Sequence, residues 1–221
     1  MKNKLSEKMN TLEKTIELKR IFSVIQSSLK SSEKSSEPAC IVVTSGEKKE
    51  GKTTLCAGLA LTAALHNGSN VLAVDYNWYS PALHKYFELD LLDDIEAFNG
   101  GKPIKDLVRH TSYNNLDILP AVHAFEGNGN GQTGTSDRHL DLLKESRGKY
   151  DYIFVDTPST FPTNYQMMDP VMISKAADGV VLVALTNVTP RQTLKRATMT
   201  METSGANLIG VVANQWKNPI I

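Results

Sequence analysis

Hydrophobic residues are spaced in two ways along this chain. From Leu5 to Leu29 they recur at helical intervals. Leu5, Met9, Leu12 and Ile16 alternate steps of four and three, and Leu18, Phe22, Ile25 and Leu29 continue the stripe. That spacing predicts one amphipathic helix, packed either on the main body of the chain or on a neighbouring subunit. Ser27-Ser28 and the run Ser31-Ser32-Glu33-Lys34-Ser35-Ser36 then offer only polar residues, the composition of a linker. The expected organisation is residues 1–37 as helix and linker, and residues 38–221 as one folded domain.

Beyond the linker, short apolar runs alternate with helical spacing. Strands are expected at Cys40–Thr44, Val71–Val74, Asn115–Leu119, Tyr152–Val155, Gly179–Leu185 and Leu208–Val212. Helices are expected at Thr53–Leu65, Leu83–Phe87, Pro103–Arg109, His139–Glu145, Pro170–Ala176 and Pro190–Thr203. Asn67-Gly68 reads as the C-terminal cap of the first of these. Gly127 to Gly134 reads as a mobile Gly/Asn-rich loop. Near-continuous apolar strands separated by helices predict a mostly parallel sheet covered on both faces, an α/β fold.

Composition changes this picture little. The 221 residues have room for one α/β domain plus an extension. The 24 basic and 24 acidic residues cancel, so no long-range field draws the chain to nucleic acid, and no nucleic-acid partner is expected. Cys40 and Cys56 sit in apolar runs and read as small hydrophobes rather than a disulfide. No run approaches the roughly 20 apolar residues that span a bilayer. The N-terminus is rich in Lys and Glu and lacks a signal-peptide core. A cytoplasmic location is expected, with attachment to the inner face of a membrane through a partner left open.

The chemistry centres on Gly46-Glu47-Lys48-Lys49-Glu50-Gly51-Lys52-Thr53, which fits G-x-x-x-x-G-K-[ST] at every fixed position, between an expected strand and an expected helix. Glycines let backbone N–H groups turn inward around phosphate oxygens, and the helix behind them directs its positive end at the same anion. Lys52 is placed to reach the β- and γ-phosphates of ATP, and the Thr53 hydroxyl to ligate Mg²⁺. Two further strands end in carboxylates: Val71-Leu72-Ala73-Val74-Asp75 and Tyr152-Ile153-Phe154-Val155-Asp156. Ligands of open α/β sheets bind at that edge, and Asp156 can hold Mg²⁺ through a water as a Walker-B carboxylate does.

The order phosphate loop, strand-Asp75, strand-Asp156-Thr157-Pro158 resembles the MinD/ParA-type P-loop ATPases. Within that group the chain is most similar to the bacterial tyrosine kinases (CpsD/CapB type) of capsule and exopolysaccharide synthesis. Glu50-Gly51-Lys52-Thr53-Thr54 resembles their Walker A, and Asp75 with Ser80-Pro81-Ala82-Leu83-His84-Lys85-Tyr86-Phe87 their Walker A′ and the helix after it. Tyr150 to Pro158 resembles Walker B, while Ala177 to Val183 and Gly210 to Asn214 resemble the last two strands. The resemblance implies that Gly46, Glu50, Gly51, Lys52, Thr53 and Thr54 bind ATP phosphates and that Asn214 contacts adenine. It also implies that Thr53, Asp75 and Asp156 serve Mg²⁺, with Lys52, Asp75 and Asp156 catalytic. A membrane chain-length regulator or polysaccharide co-polymerase is the implied partner, and a homo-oligomer that forms on ATP is a further expectation.

The departures are specific. The family's Asp-x-Asp-x-Arg appears as Asp75-Tyr76-Asn77-Trp78-Tyr79, so a carboxylate and a guanidinium are replaced. Asn77 keeps a carbonyl oxygen but no charge for base work, a contribution typically worth ~10²- to 10⁴-fold in rate. No tyrosine follows Tyr165, so a C-terminal tyrosine cluster is absent from this sequence. The helix motif Glu-x-x-Arg-x-x-Arg stands as Glu17-Leu18-Lys19-Arg20-Ile21-Phe22-Ser23, without its last Arg, and Glu47 occupies the place of the MinD/ParA signature lysine.

Other groups carry less. His66, His84, His110, His123 and His139 show no metal-ligand spacing, and Ser45 and Ser159 lack a nucleophile-elbow context. Lys48-Lys49 reads either as a contact to nucleotide or partner or as a solvated loop tip. Trp78-Tyr79 reads either as an exposed docking pair or as packing under its loop. The expected activity is that of a Mg-ATP-binding ATPase or weakened tyrosine kinase. The alternatives are a non-catalytic nucleotide-gated scaffold and a positioning ATPase like ParA or MinD.

Overall fold

The computed structural model describes residues 11–12, 15–30, 38–92, 98, 101–122, 136–161 and 168–215. Seven strands form one sheet: β1 (Ala39–Ser45), β2 (Val71–Asp75), β3 (Arg109–His110), β4 (Leu116–Leu119), β5 (Tyr152–Asp156), β6 (Gly179–Leu185) and β7 (Leu208–Asn214). Their spatial order is β3-β4-β2-β5-β1-β6-β7. Every pairing is parallel except β3 with β4. The helices are α1 (Ile16–Lys30), α2 (Lys52–Asn67), α3 (Leu83–Tyr86), α4 (Ile104–Leu107), α5 (Ser136–Ser146), α6 (Pro170–Ala176) and α7 (Arg191–Thr203).

Period-two alternation sorts the strands into two cores. Ile41, Val43, Val71, Ala73, Leu116, Ile118 and Phe154 pack under α1, α2 and α3. Cys40, Val42, Leu72, Val74, Leu119, Ile153 and Val155 pack against the opposite helices, with Ile173 of α6 and Met201 of α7. Successive strand side chains point to opposite faces, so a sheet covered on both sides needs an unbroken apolar run. The mostly parallel α/β fold expected from the sequence is the one observed.

Two expectations change, and one falls on residues that are not described. The helix foreseen from Leu5 to Leu29 is not continuous: Thr15 is non-helical, α1 starts at Ile16, and residues 1–10 lie outside the described residues. The Thr15 hydroxyl donates to the Thr11 carbonyl at 2.8 Å, and its N–H donates to Leu12 rather than to Thr11, which tightens the chain there. Arg109 is not the end of a helix. α4 stops at Leu107, and Arg109–His110 forms a two-residue edge strand antiparallel to β4, paired Arg109 with Ile118 and His110 with Asp117. Helical spacing over seven residues cannot distinguish these outcomes, because a neighbouring strand supplies the hydrogen bonds. The Gly127–Gly134 loop falls outside the described residues.

α1 packs on its own domain. Leu18, Phe22 and Ile25 are buried in the core that faces α2, and Leu18 closes on Gly58, where an added Cβ would lie 2.7 Å from Leu18 Cδ1. Phe22 meets Tyr152 edge-on at 5.2 Å between ring centroids. α2 ends where foreseen, with Gly68 in the left-handed conformation at φ 61°. No helix among the described residues is long and apolar enough to cross a membrane.

Candidate functional site

The site grows from the carboxyl ends of β1, β2 and β5, which lie side by side at the centre of the sheet. β1 delivers the chain into a loop over 46–51, and α2 begins at Lys52. Gly51 has φ 97°, and a Cβ there would lie 2.3 Å from Asn214 Nδ2, so both backbone and space require glycine. Gly46 is needed for a different reason. Its φ is not left-handed, but an added Cβ would lie 2.8 Å from Thr193 Cγ2 on α7.

Internal bonds set the shape of the loop. Lys52 is buried, and its Nζ donates to Ser45 Oγ at 2.8 Å and to the Glu47 carbonyl at 3.3 Å. Burial makes this ammonium easier to deprotonate, against the opposing pull of Asp156 and Glu50. Glu50 turns its carboxylate into the protein: it accepts the Glu47 N–H at 2.8 Å and the Thr189 hydroxyl. Thr189 in turn accepts the Leu185 N–H at 2.7 Å, tying the loop to the end of β6. Asn214, at the end of β7, donates its amide to the Glu50 carbonyl at 2.9 Å.

Alternation along β2 and β5 places Asp75 and Asp156 on the face that packs under α2, and the register pairs them directly. Thr53 Oγ1 donates to Asp156 Oδ2 at 2.6 Å, while Asp156 Oδ1 is buried without a hydrogen-bond partner among the described residues. Asp75 accepts three backbone N–H groups: Asn77 at 3.0 Å on Oδ1, then Ala82 at 3.2 Å and Leu83 at 3.1 Å on Oδ2. Burial pushes the Asp75 carboxyl up to about 6, against those three bonds. Burial also pushes Asp156 up, to about 8, and the neighbouring Asp75 charge adds to the effect. Two stacked carboxyls that resist ionisation, one with an orphaned oxygen, are the donor set that a hard divalent cation relieves.

Above this floor lies an open cleft of about 380 Å³, within the size range of small-molecule sites. It is lined by Lys49, Gly51, Lys52, Thr53, Thr54 and Asn214 together with Asn77, Ser80, Ala82 and Tyr86. Gly46, Glu50, Asp75 and Asp156 do not line the cleft, and the three acidic side chains are buried. Tyr86 and Thr189 were not singled out from the sequence. The Tyr86 hydroxyl meets Thr54 Oγ1 at 2.7 Å, a contact made only when α3 folds back over α2. The aromatic pair separates: Trp78 is 6% exposed and packs on Phe98 and His139, while Tyr79 is 39% exposed.

A phosphate loop between the central parallel strand and its helix, above two strand-end carboxylates, defines the fold of a P-loop NTPase. MinD of Pyrococcus horikoshii, solved with Mg-ADP, has this fold: TM-score 0.66 at 23% identity, covering 82% of this chain and 72% of that one. In sequence, the chain is similar to bacterial tyrosine kinases. It is 25% identical over 197 residues to tyrosine-protein kinase CpsD of Streptococcus agalactiae, covering 88% of this chain and 82% of that relative. The tyrosine-protein kinase ptk of Acinetobacter johnsonii is 24% identical over 176 residues, and this chain spans 23% of its length. Among solved structures, the chimerical protein CapA2B2 has TM-score 0.71 at 27% identity, covering 87% of this chain and 82% of that one. No family model matches the chain.

Proposed function

We propose that the chain binds Mg-ATP in this cleft and acts on it as an ATPase or weakened tyrosine kinase of capsule or exopolysaccharide synthesis. The observation that carries the reading is the Thr53–Asp156 bond, with the second Asp156 oxygen buried and unpartnered among the described residues, beside a Walker A loop. Thr53 and Asp156 are the residues that would hold Mg²⁺, with Asp75 beside them. When bound, Mg²⁺ supplies a Lewis acid that neutralises charge on phosphate oxygens. Lys52, released from Ser45 and Glu47, supplies the cation for the β- and γ-phosphates. Asn214, at the end of β7, would contact adenine, and Gly51 and Thr54, which line the same cleft, would contact phosphates. The family resemblance supports a membrane chain-length regulator or polysaccharide co-polymerase as partner, which would hold the chain at the inner face of the membrane.

One observation favours a second reading, a nucleotide-gated scaffold. Both oxygens of Asp75 accept backbone N–H groups, and the Asn77 amide donates to the Ser80 carbonyl at 3.2 Å. The Walker A′ segment thus spends its polar groups on holding its own turn.

Incubation with γ-labelled ATP and Mg²⁺ separates the readings, with Lys52→Ala as control. Labelled protein, lost in the variant, means a kinase; labelled free phosphate alone means an ATPase. ATP bound but intact means the scaffold, and no binding overturns all three. Lys52→Ala is expected to weaken Mg-ATP binding by at least tenfold, since a buried charge-assisted contact contributes ~1.5–3 kcal/mol. Elution from a sizing column with and without Mg-ATP tests the homo-oligomer; identical elution counts against it.

A further inference from the structure

Lys48 and Lys49 stand side by side at the tip of the phosphate loop, and both are exposed. The structure separates them. Lys49 lines the cleft beside Gly51 and Lys52, and Lys48 does not. Lys49 also adopts a left-handed backbone, φ 63°, a conformation that crowds the Cβ of any L-residue and that glycine or asparagine takes at lower cost. Such outliers concentrate at ligand clamps, where the surroundings impose the geometry. The Lys49 ammonium has no hydrogen-bond or ion-pair partner among the described residues.

The charge around the cleft gives this lysine a task. Four carboxyl groups surround the loop: Glu47 and Glu50 within it, Asp75 and Asp156 beneath it. Against them stands Lys52, whose ammonium is buried and engaged by Ser45 and the Glu47 carbonyl. A polyphosphate entering this cleft meets the carboxylates of Glu47 and Glu50 in the loop itself. Lys49 is the cation that lines the same wall and is unengaged.

We propose that Lys49 is a second phosphate-binding cation of this cleft, contacting the polyphosphate chain of the nucleotide from the loop tip while Lys52 contacts it from the loop base. The assignment rests on the nucleotide-binding reading above. It makes Lys49, rather than Lys48, the loop-tip residue that contacts the nucleotide.

The test is Mg-ATP affinity by calorimetry at several salt concentrations, for the wild type and for Lys49→Asn, Lys49→Gly, Lys49→Arg and Lys48→Asn. Asparagine and glycine both accept the left-handed backbone, so neither variant strains the loop and the melting temperature does not fall. Both are expected to weaken Mg-ATP about tenfold, the low end for a charge-assisted contact, and to flatten the salt dependence of binding. Lys49→Arg restores the affinity, and Lys48→Asn weakens it less than Lys49→Asn does. Wild-type affinity in both Lys49→Asn and Lys49→Gly overturns the proposal and leaves the nucleotide reading intact. Loss in Lys49→Gly alone also overturns it, because the loop's stiffness rather than its charge is then at work. If the wild type itself fails to bind Mg-ATP, the nucleotide reading fails first and this proposal with it.

Discussion

At the scale of single residues, the site is governed by buried charge. Asp75 and Asp156 occupy paired positions on adjacent strands, and each keeps its proton to higher pH than a free carboxyl does, chiefly because of burial. A carboxyl whose folded-state pKa lies above its unfolded value gives stability that is fully present below the unfolded value. That stability is lost as pH rises through the folded one. For Asp156 the window runs from about 4 to about 8. The metal-free protein is therefore expected to melt at lower temperature as pH rises across this window. Asp156→Asn, which cannot ionise, should remove most of that slope. A thermal melt series in chelator checks it, and an unchanged slope would mean that another group titrates. The Asn77 replacement belongs to this scale too. With its amide on Ser80, this side chain helps to close the turn that brings Ala82 and Leu83 onto Asp75.

At the scale of elements, α1 and the phosphate loop show how helices are fixed by their neighbours. A charged helix of 15 residues is marginal alone in water, and its stability comes from the face it buries. Here that face is Leu18, Phe22 and Ile25, with Phe22 against Tyr152 and Phe154. Phe22→Ala is expected to cost about 3 kcal/mol of global stability, the usual loss for a buried phenylalanine. Urea denaturation reads this directly. A change under about 0.5 kcal/mol would make α1 an appendage rather than part of the core. The phosphate loop is held from the far side by α7 and the end of β6, through Thr193 against Gly46 and Thr189 against Glu50. Its shape therefore depends on residues more than 130 positions away in sequence.

At the scale of the whole molecule, one sheet with a core on each face should unfold as one unit. The two cysteines report on this, because Cys40 lies in one core and Cys56 in the other, both free and fully buried. Burial pushes the Cys40 thiol up to about 12 and raises that of Cys56 well above its ordinary value. Neither thiolate is then available near neutral pH, where the reactive form is needed for alkylation. Both thiols are expected to resist a thiol reagent in buffer and to become reactive at the same urea concentration. Earlier reaction of one would show that the two faces open separately.

Much of this was legible in the sequence, for reasons that can be named. The six longer strands and the helices between them follow from apolar runs and period, since a sheet buried on both faces demands them. The phosphate loop follows from a spacing that backbone geometry makes nearly obligatory, and the strand-end position of Asp75 and Asp156 from the apolar runs before them. What the sequence could not decide depends on contacts between distant segments. The antiparallel β3, the break at Thr15, the burial of Trp78 apart from Tyr79, the tether of Glu50 to Thr189 and the different alignments of Lys48 and Lys49 each depend on what lies opposite. Local spacing records which residues can form an element. The charge pairing, close approaches and exposed cleft wall arise only when those elements are packed together.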